Sequence, residues 1–266
     1  MTKDFETQQW AVVTGASGGI GAELARRLAA RGAGLVITAR SRAALDALAG
    51  ELRERHGVPV EPLVIDMSAP DAADGIAGEL RRLGIEPTIL VNNAGVGLFG
   101  LHAETTLEDE QKMINLNLVA LTRLTKLLLP GIIARRGRIL NVASTASFQP
   151  GPFMAVYYAT KAYVLSYSEA LAEELAPAGV TVTALCPGPT ESGFQDKARM
   201  HASALVNGKR LPTAAEVAEY AMVALDRGQR VAVHGCANRA MVQLLRFLPR
   251  RAITRTVYRL SRPVAS

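Results

Sequence analysis

The chain has 266 residues, 49% apolar and 20% charged, a composition that supports a packed core and excludes a disordered or collagen-like chain. The net charge of +6 is uneven: nine arginines and no acidic residue lie within 227–266, so the first 226 residues are slightly acidic. A basic body of the kind that binds nucleic acid is therefore not expected.

In chain order, short β-branched runs alternate with longer Ala/Leu/Arg-rich stretches. Strands are predicted at 10–14, 34–39, 60–66, 88–92, 138–142, 180–185 and 230–234, and helices at 19–31, 41–55, 69–83, 106–135, 155–176 and 213–228. Gly32 and Gly179 fall just past helices, where a left-handed cap needs no Cβ. The runs at 35–38 and 89–91 are continuously apolar, as in parallel strands buried on both faces. Repeated strand–helix alternation predicts a single α/β domain built on a doubly wound, Rossmann-like parallel sheet, with ligands at the carboxyl ends of the strands. The longest uncharged run, 139–160, is rich in Ser, Thr, Gln and Pro, so no membrane-spanning helix is expected. The first residues are polar, unlike a secretory signal. Cys186 and Cys236 form no disulfide framework, and a reducing, cytoplasmic setting is expected.

The first predicted strand runs into Thr14-Gly15-Ala16-Ser17-Gly18-Gly19-Ile20-Gly21, and a helix follows. Glycines at 15, 19 and 21 permit a tight turn, close approach of a diphosphate to backbone N–H groups and close helix–strand packing. The turn residues Gly15, Ser17, Gly19, Ile20 and Gly21 are assigned to dinucleotide binding. At the end of the second strand stand Ala39 and Arg40 rather than an acid. An acid there would take the ribose hydroxyl of NAD, whereas arginine suits a 2′-phosphate, so NADP(H) is expected over NAD(H).

The spacing G-x-x-x-G-x-G resembles that of the short-chain dehydrogenase/reductase family. So do Asn92-Asn93-Ala94-Gly95 after the fourth strand, Asn117, Ser144 after the fifth, Tyr157-x-x-x-Lys161, and Pro187-Gly188-Pro189-Thr190 after the sixth. The resemblance covers roughly residues 10–235. It implies a catalytic set of Asn117, Ser144, Tyr157 and Lys161, with Asp66, Asn93, Pro187, Gly188 and Thr190 also at the cofactor, alongside Arg40, Tyr157 and Lys161. Tyr157 and Lys161 lie one helical turn apart, and an ammonium near the phenol would lower its pKa, making it a general acid or base. Ser144 can hydrogen-bond the substrate oxygen where charge develops. The resemblance gives Asn117 a bound water in a proton relay to Lys161. Helical spacing alone leaves Tyr158 open beside Tyr157, and Asn115 beside Asn117. The family's separation of thirteen residues from Ser144 selects Tyr157, and its spacing to Leu129-Pro130 and Ser144 selects Asn117.

The four histidines show no metal-ligand spacing, and no metal is expected. Segments 96–103, 148–156 and 190–211 are expected to line the substrate mouth, with Leu98, Phe99, Phe148, Phe153, Met154 and Phe194 forming an apolar pocket for a lipophilic ketone or alcohol. The leading expectation is an NADP(H)-dependent oxidoreductase acting on a small-molecule carbonyl or secondary alcohol. The alternatives are a non-catalytic NADP-binding regulator and a membrane-surface module working through the tail. Residues 1–237 are read as the dinucleotide-binding catalytic domain and 238–266 as a basic amphipathic tail, which suits peripheral membrane contact or packing on protein. Pro249 is expected to kink or break the tail helix. The family resemblance implies a homodimer or homotetramer paired through helices 106–135 and 155–176, the second offering Ala162, Leu165, Ala170, Leu171 and Leu175.

Overall fold

In a computed structural model that describes residues 9–194, 198 and 210–262, the strands β1 (Trp10–Thr14), β2 (Gly34–Ala39), β3 (Val60–Val64), β4 (Ile89–Asn92), β5 (Arg138–Val142), β6 (Thr181–Cys186) and β7 (Val231–Val233) are connected by helices. All pair in parallel, in the order β3-β2-β1-β4-β5-β6-β7. The chain builds outward from β1 to β3, returns to lay β4 on the other side of β1, and then continues away. The direction reverses between β1 and β4, where a doubly wound sheet leaves a crevice at its carboxyl edge. This is the single Rossmann-like domain that the alternation predicts.

The helices are α1 (Gly19–Ala30), α2 (Arg42–His56), α3 (Ala72–Leu83), α4 (Leu107–Ile114), α5 (Leu121–Ala134), α6 (Ala155–Leu175), α7 (Ala214–Asp226), α8 (Cys236–Leu245) and α9 (Arg250–Ser261). Each central strand buries both faces. Ala11, Val13, Leu35 and Ile37 pack with α1, α2 and α7, while Val12, Val36, Leu90 and Ile139 pack with α3, α5 and α6. Polar residues cross the second interface as a satisfied chain. Asn92 donates to Thr125 Oγ1 (2.9 Å) and Asn141 Oδ1 (2.8 Å), and Asn141 donates to Ser168 Oγ (2.9 Å). Buried amides held this way fix the register of β4 and β5 against the helices.

Two expectations are corrected here. Residues 107–134 form one continuous 28-residue helix, in which a π-helical turn, Asn115–Ala120, joins α4 to α5. By length and composition this helix could cross a membrane, contrary to the expectation that no segment could. The apolar run was hidden by Arg123 and Lys126, yet Leu121, Leu124, Leu128 and Ile132 are buried within the fold. In α6, Leu165, Leu171 and Leu175 face the core instead of a partner chain. The tail breaks at Pro249, which caps α9. Tail helix α8 rests on the loop after β6, because a Cβ on Gly188 would lie 2.7 Å from Asn238 Nδ2.

Candidate active site

At the carboxyl end of β1 the chain needs glycine for a backbone reason and a packing reason. Gly15 has φ +69°, and a Cβ there would fall 2.8 Å from Ala94 Cα. A Cβ on Gly21 would fall 2.3 Å from Asn93 Nδ2. The space is taken by a clamp between β1 and β4. Thr14 Oγ1 accepts from the N–H groups of Asn93 (3.1 Å) and Ala94 (3.0 Å), and Asn93 Nδ2 donates to Thr14 O (2.9 Å) and Gly15 O (3.1 Å). Asn93 therefore shapes the turn from behind. Gly18 faces open space, and no side chain caps the N-terminus of α1. Its first N–H groups remain available to an anion. Ser17 is exposed and Ile20 is half-buried. A cleft of about 450 Å³ opens between Ser17, Gly18 and Gly19 and the loop at Ser192–Gly193. The turn fits the diphosphate of a dinucleotide.

Ala39 is buried and Arg40 is exposed at the end of β2, without an ion pair among the described residues. Burial opposes ionisation of Asp66, but hydrogen bonds from Ser68 and the charges of Arg40 and Lys112 hold its carboxyl below the usual range. Arg40 and Asp66 therefore share one rim. After β6, Pro187 O accepts from Thr145 N (2.9 Å), and Thr190 Oγ1 donates to Gly188 O (2.9 Å). That loop is tied to the segment following Ser144.

Ser144, Tyr157 and Lys161 converge at the ends of β5 and β6. Ser144 Oγ accepts from Ala146 N (3.1 Å), donates to Pro187 O (3.4 Å) and lies near enough to the Tyr157 phenol to favour its ionisation. Burial pushes that phenol well above its ordinary value, and the nearby Ser144 hydroxyl only partly offsets the rise. Lys161 Nζ lies 5.9 Å from the Tyr157 ring centroid and donates to Val142 O (2.7 Å). Burial pulls the Lys161 ammonium down to about 8. Burial, and not the neighbouring ammonium, therefore sets the direction of the phenol's shift, contrary to the expected depression. Tyr158 has no such partner among the described residues. Its ring is pressed onto Gly151, where a Cβ would sit 2.2 Å from Tyr158 Cγ. It is a packing residue.

Asn117 lies in the π-helical turn. Its Oδ1 accepts from Val96 N (3.0 Å), and its Nδ2 donates to Val96 O (2.9 Å) and Thr160 Oγ1 (3.0 Å). Asn115 instead takes a bond from Gln111 (3.0 Å) on the exposed side. A Cβ on Gly95 would be 3.3 Å from both Asn117 Oδ1 and Lys161 Nζ, so the two groups share the space over that glycine. The sequence reading missed Thr160, which takes the second donor contact of Asn117. It also missed Cys186, buried beside Lys161, whose thiol burial pushes up to about 12. Thr160 is an unspecified position inside the Tyr157–Lys161 spacing on α6, and Cys186, at the end of β6, meets the site only through the sheet.

Above Tyr157 an apolar cluster gathers Met154, Leu98, Phe99 and Phe194, with the Phe194 ring 5.4 Å from that of Tyr157. Phe148 is not part of it and packs with Val164 and Val233 instead. Phe99 stacks on Phe153 (5.8 Å), Phe153 on Tyr258 of α9 (5.2 Å), and Arg262 lies 5.6 Å from the Tyr258 ring. Phe153 holds φ +67°, a strained position for a bulky residue. Of the expected lining segment 190–211, residues 195–197 and 199–209 lie outside the described residues, as does His201. Among the described residues no cluster of His, Cys, Asp or Glu could hold a metal ion.

The sequence profile of short chain dehydrogenases matches residues 9–203. A very-long-chain 3-oxoacyl-CoA reductase of Phaeosphaeria nodorum is 38% identical over 178 residues, which are 65% of this chain and 52% of that protein. The chain spans about half the length of the curated relatives it matches. Among solved structures, a short-chain dehydrogenase from Sphingobium yanoikuyae in complex with NADPH aligns with a TM-score of 0.80 and 35% identity over 90% of this chain and 94% of that one. A bulky-bulky ketone specific alcohol dehydrogenase from Comamonas testosteroni aligns with a TM-score of 0.76 and 28% identity, covering 97% and 96%. With the profile spanning most of the chain and the fold aligning along nearly all of it, this protein belongs to the short-chain dehydrogenase/reductase family.

Proposed function

We propose that the chain is an NADP(H)-dependent oxidoreductase that interconverts a lipophilic ketone and its secondary alcohol. The observation that carries this reading is the convergence of Ser144, Tyr157 and Lys161 beneath an apolar cluster, at the edge where the glycine turn and Arg40 also open. A nicotinamide bound there supplies or accepts the hydride. Tyr157, kept protonated at neutral pH by burial, donates its proton to the carbonyl oxygen, which favours the reductive direction. Ser144 donates a second hydrogen bond to that oxygen as charge develops on it. Lys161, with a proton affinity near the ambient range, returns a proton toward the phenol, and Asn117 holds the Val96 backbone beside it. Arg40 takes the 2′-phosphate as a forked donor.

The long-chain 3-oxoacyl relatives and the bulky-ketone neighbour support a substrate with an extended apolar part, and the cluster of Leu98, Phe99, Met154 and Phe194 suits one. A regulator that only held the nucleotide would have no use for a lysine buried at the cost of its charge. We assign residues 1–237 to the catalytic unit and 238–266 to the tail, in a cytoplasmic homo-oligomer. The test is NADPH oxidation over long-chain 3-oxoacyl thioesters, hydroxysteroid ketones and small polar ketones. The reading expects turnover that rises with the apolar part of the ketone, and no oxidation with any ketone would sink it.

A further inference from the structure

The last two helices present a surface that the proposed chemistry does not use. Helix α9 turns Ile253, Val257 and Ser261 inward. At about 100° per residue, Arg251, Arg255, Arg259 and Arg262 fall on the opposite side. The corner between α8 and α9 is exposed throughout 246–252. Phe247 is 83% exposed there, with Leu244 at 59% and Leu248 at 42%. These apolar side chains are flanked by Arg246, Arg250 and Arg251, with no acidic residue anywhere in 227–266. Exposed aliphatic and aromatic groups among unopposed cations match a surface that is anionic outside and apolar beneath. A second copy of the chain does not match it, because a two-fold contact would set this face against its own like charges. A soluble polyanion would leave Phe247, Leu244 and Leu248 in water.

We propose that the α8–α9 corner and the outer face of α9 dock on an anionic phospholipid bilayer. The same helix carries Tyr258, whose stack on Phe153 and Phe99 reaches the rim of the apolar cluster above Tyr157. Docking would set that rim at the lipid surface, where a membrane-dissolved ketone enters without crossing water. This entry role rests on the proposed function, whereas the docking does not.

The test is co-sedimentation of the full chain with phosphatidylcholine vesicles, with and without phosphatidylserine, at low and high salt. Wild-type protein is expected to sediment with the phosphatidylserine vesicles and to be released by salt. Arg250→Gln with Arg251→Gln should weaken binding about fivefold per arginine. Phe247→Ser should weaken it as well, and far-UV circular dichroism should report unchanged folding for these exposed positions. Turnover of a short, water-soluble ketone should be unaffected in all variants. No sedimentation of wild type at low salt, or equal binding by wild type and variants, would overturn the docking. Vesicle binding with no NADPH oxidation for any ketone would instead overturn the functional reading and leave the docking standing.

Discussion

Tyr157 and Tyr158 are chain neighbours with ring centroids 6.0 Å apart, yet they face different work. Tyr157 meets Ser144, whereas Tyr158 fills the space left by Gly151. Tyr157→Phe should lower kcat by at least about two orders of magnitude with NADPH affinity nearly intact, and Tyr158→Phe should cost far less. Equal losses would undo the assignment. Arg40→Ala should weaken NADPH binding by roughly tenfold to a hundredfold, the worth of charge-assisted hydrogen bonds to a phosphate, and barely change NADH binding. Fluorescence titration with both nucleotides distinguishes the cases, and tighter NADH binding in wild type would contradict the reading of Arg40. Lys161 makes a prediction about stability. It titrates near 8 in the fold against 10.5 in a free side chain. Between those values the unfolded chain binds more protons, so the contribution of Lys161 to stability rises from pH 8 to pH 10.5 and its penalty is complete below pH 8. Lys161→Met should therefore raise the melting temperature at pH 7 while removing turnover, and the gain should shrink toward pH 10. A gain that stays constant with pH would show that the buried charge is not its source.

Among the elements, the strands were the most legible in the sequence, because parallel strands buried on both faces leave unbroken apolar runs such as 35–37 and 89–91. The π-helical turn was not legible: one extra residue per turn leaves no mark on a pattern already 28 residues long. The outward face of α6 was misread for a related reason. Its apolar residues surround the helix, so periodicity cannot say which face meets the sheet. Exposed apolar residues on this face include Val119 and Leu127 of the long helix and Tyr163 of α6, where Tyr163 hydrogen-bonds Thr122 across the pair (2.9 Å). We expect the homodimer or homotetramer to form over this face. Leu127→Glu should then shift light-scattering mass to the monomer with little loss of melting temperature. A monomeric wild type, or an assembly indifferent to Leu127→Glu, would exclude the pairing.

For the molecule as a whole, the motif residues were readable because each lies in a short spacing on one loop or helix, and the fold brings those segments to one edge of the sheet. Contacts such as Phe153 with Tyr258 were not, since nothing local to either residue records a partner so distant in the chain. The clamp of Thr14 to Asn93 bears on how the protein reaches its fold. These two residues are 79 positions apart, and the pairing of Ala11 with Ile89 can form only after the intervening chain has closed. Closing a long loop costs entropy before any contact repays it, so such pairings come late. The β1–β2–β3 half and its helices can assemble first from shorter loops, leaving the glycine turn without the Asn93 strap that supports it. During refolding from denaturant, helical signal should therefore return before NADPH binding does. Stopped-flow circular dichroism and NADPH fluorescence, followed on one sample, should be separated by a lag, and that lag should lengthen in Thr14→Val.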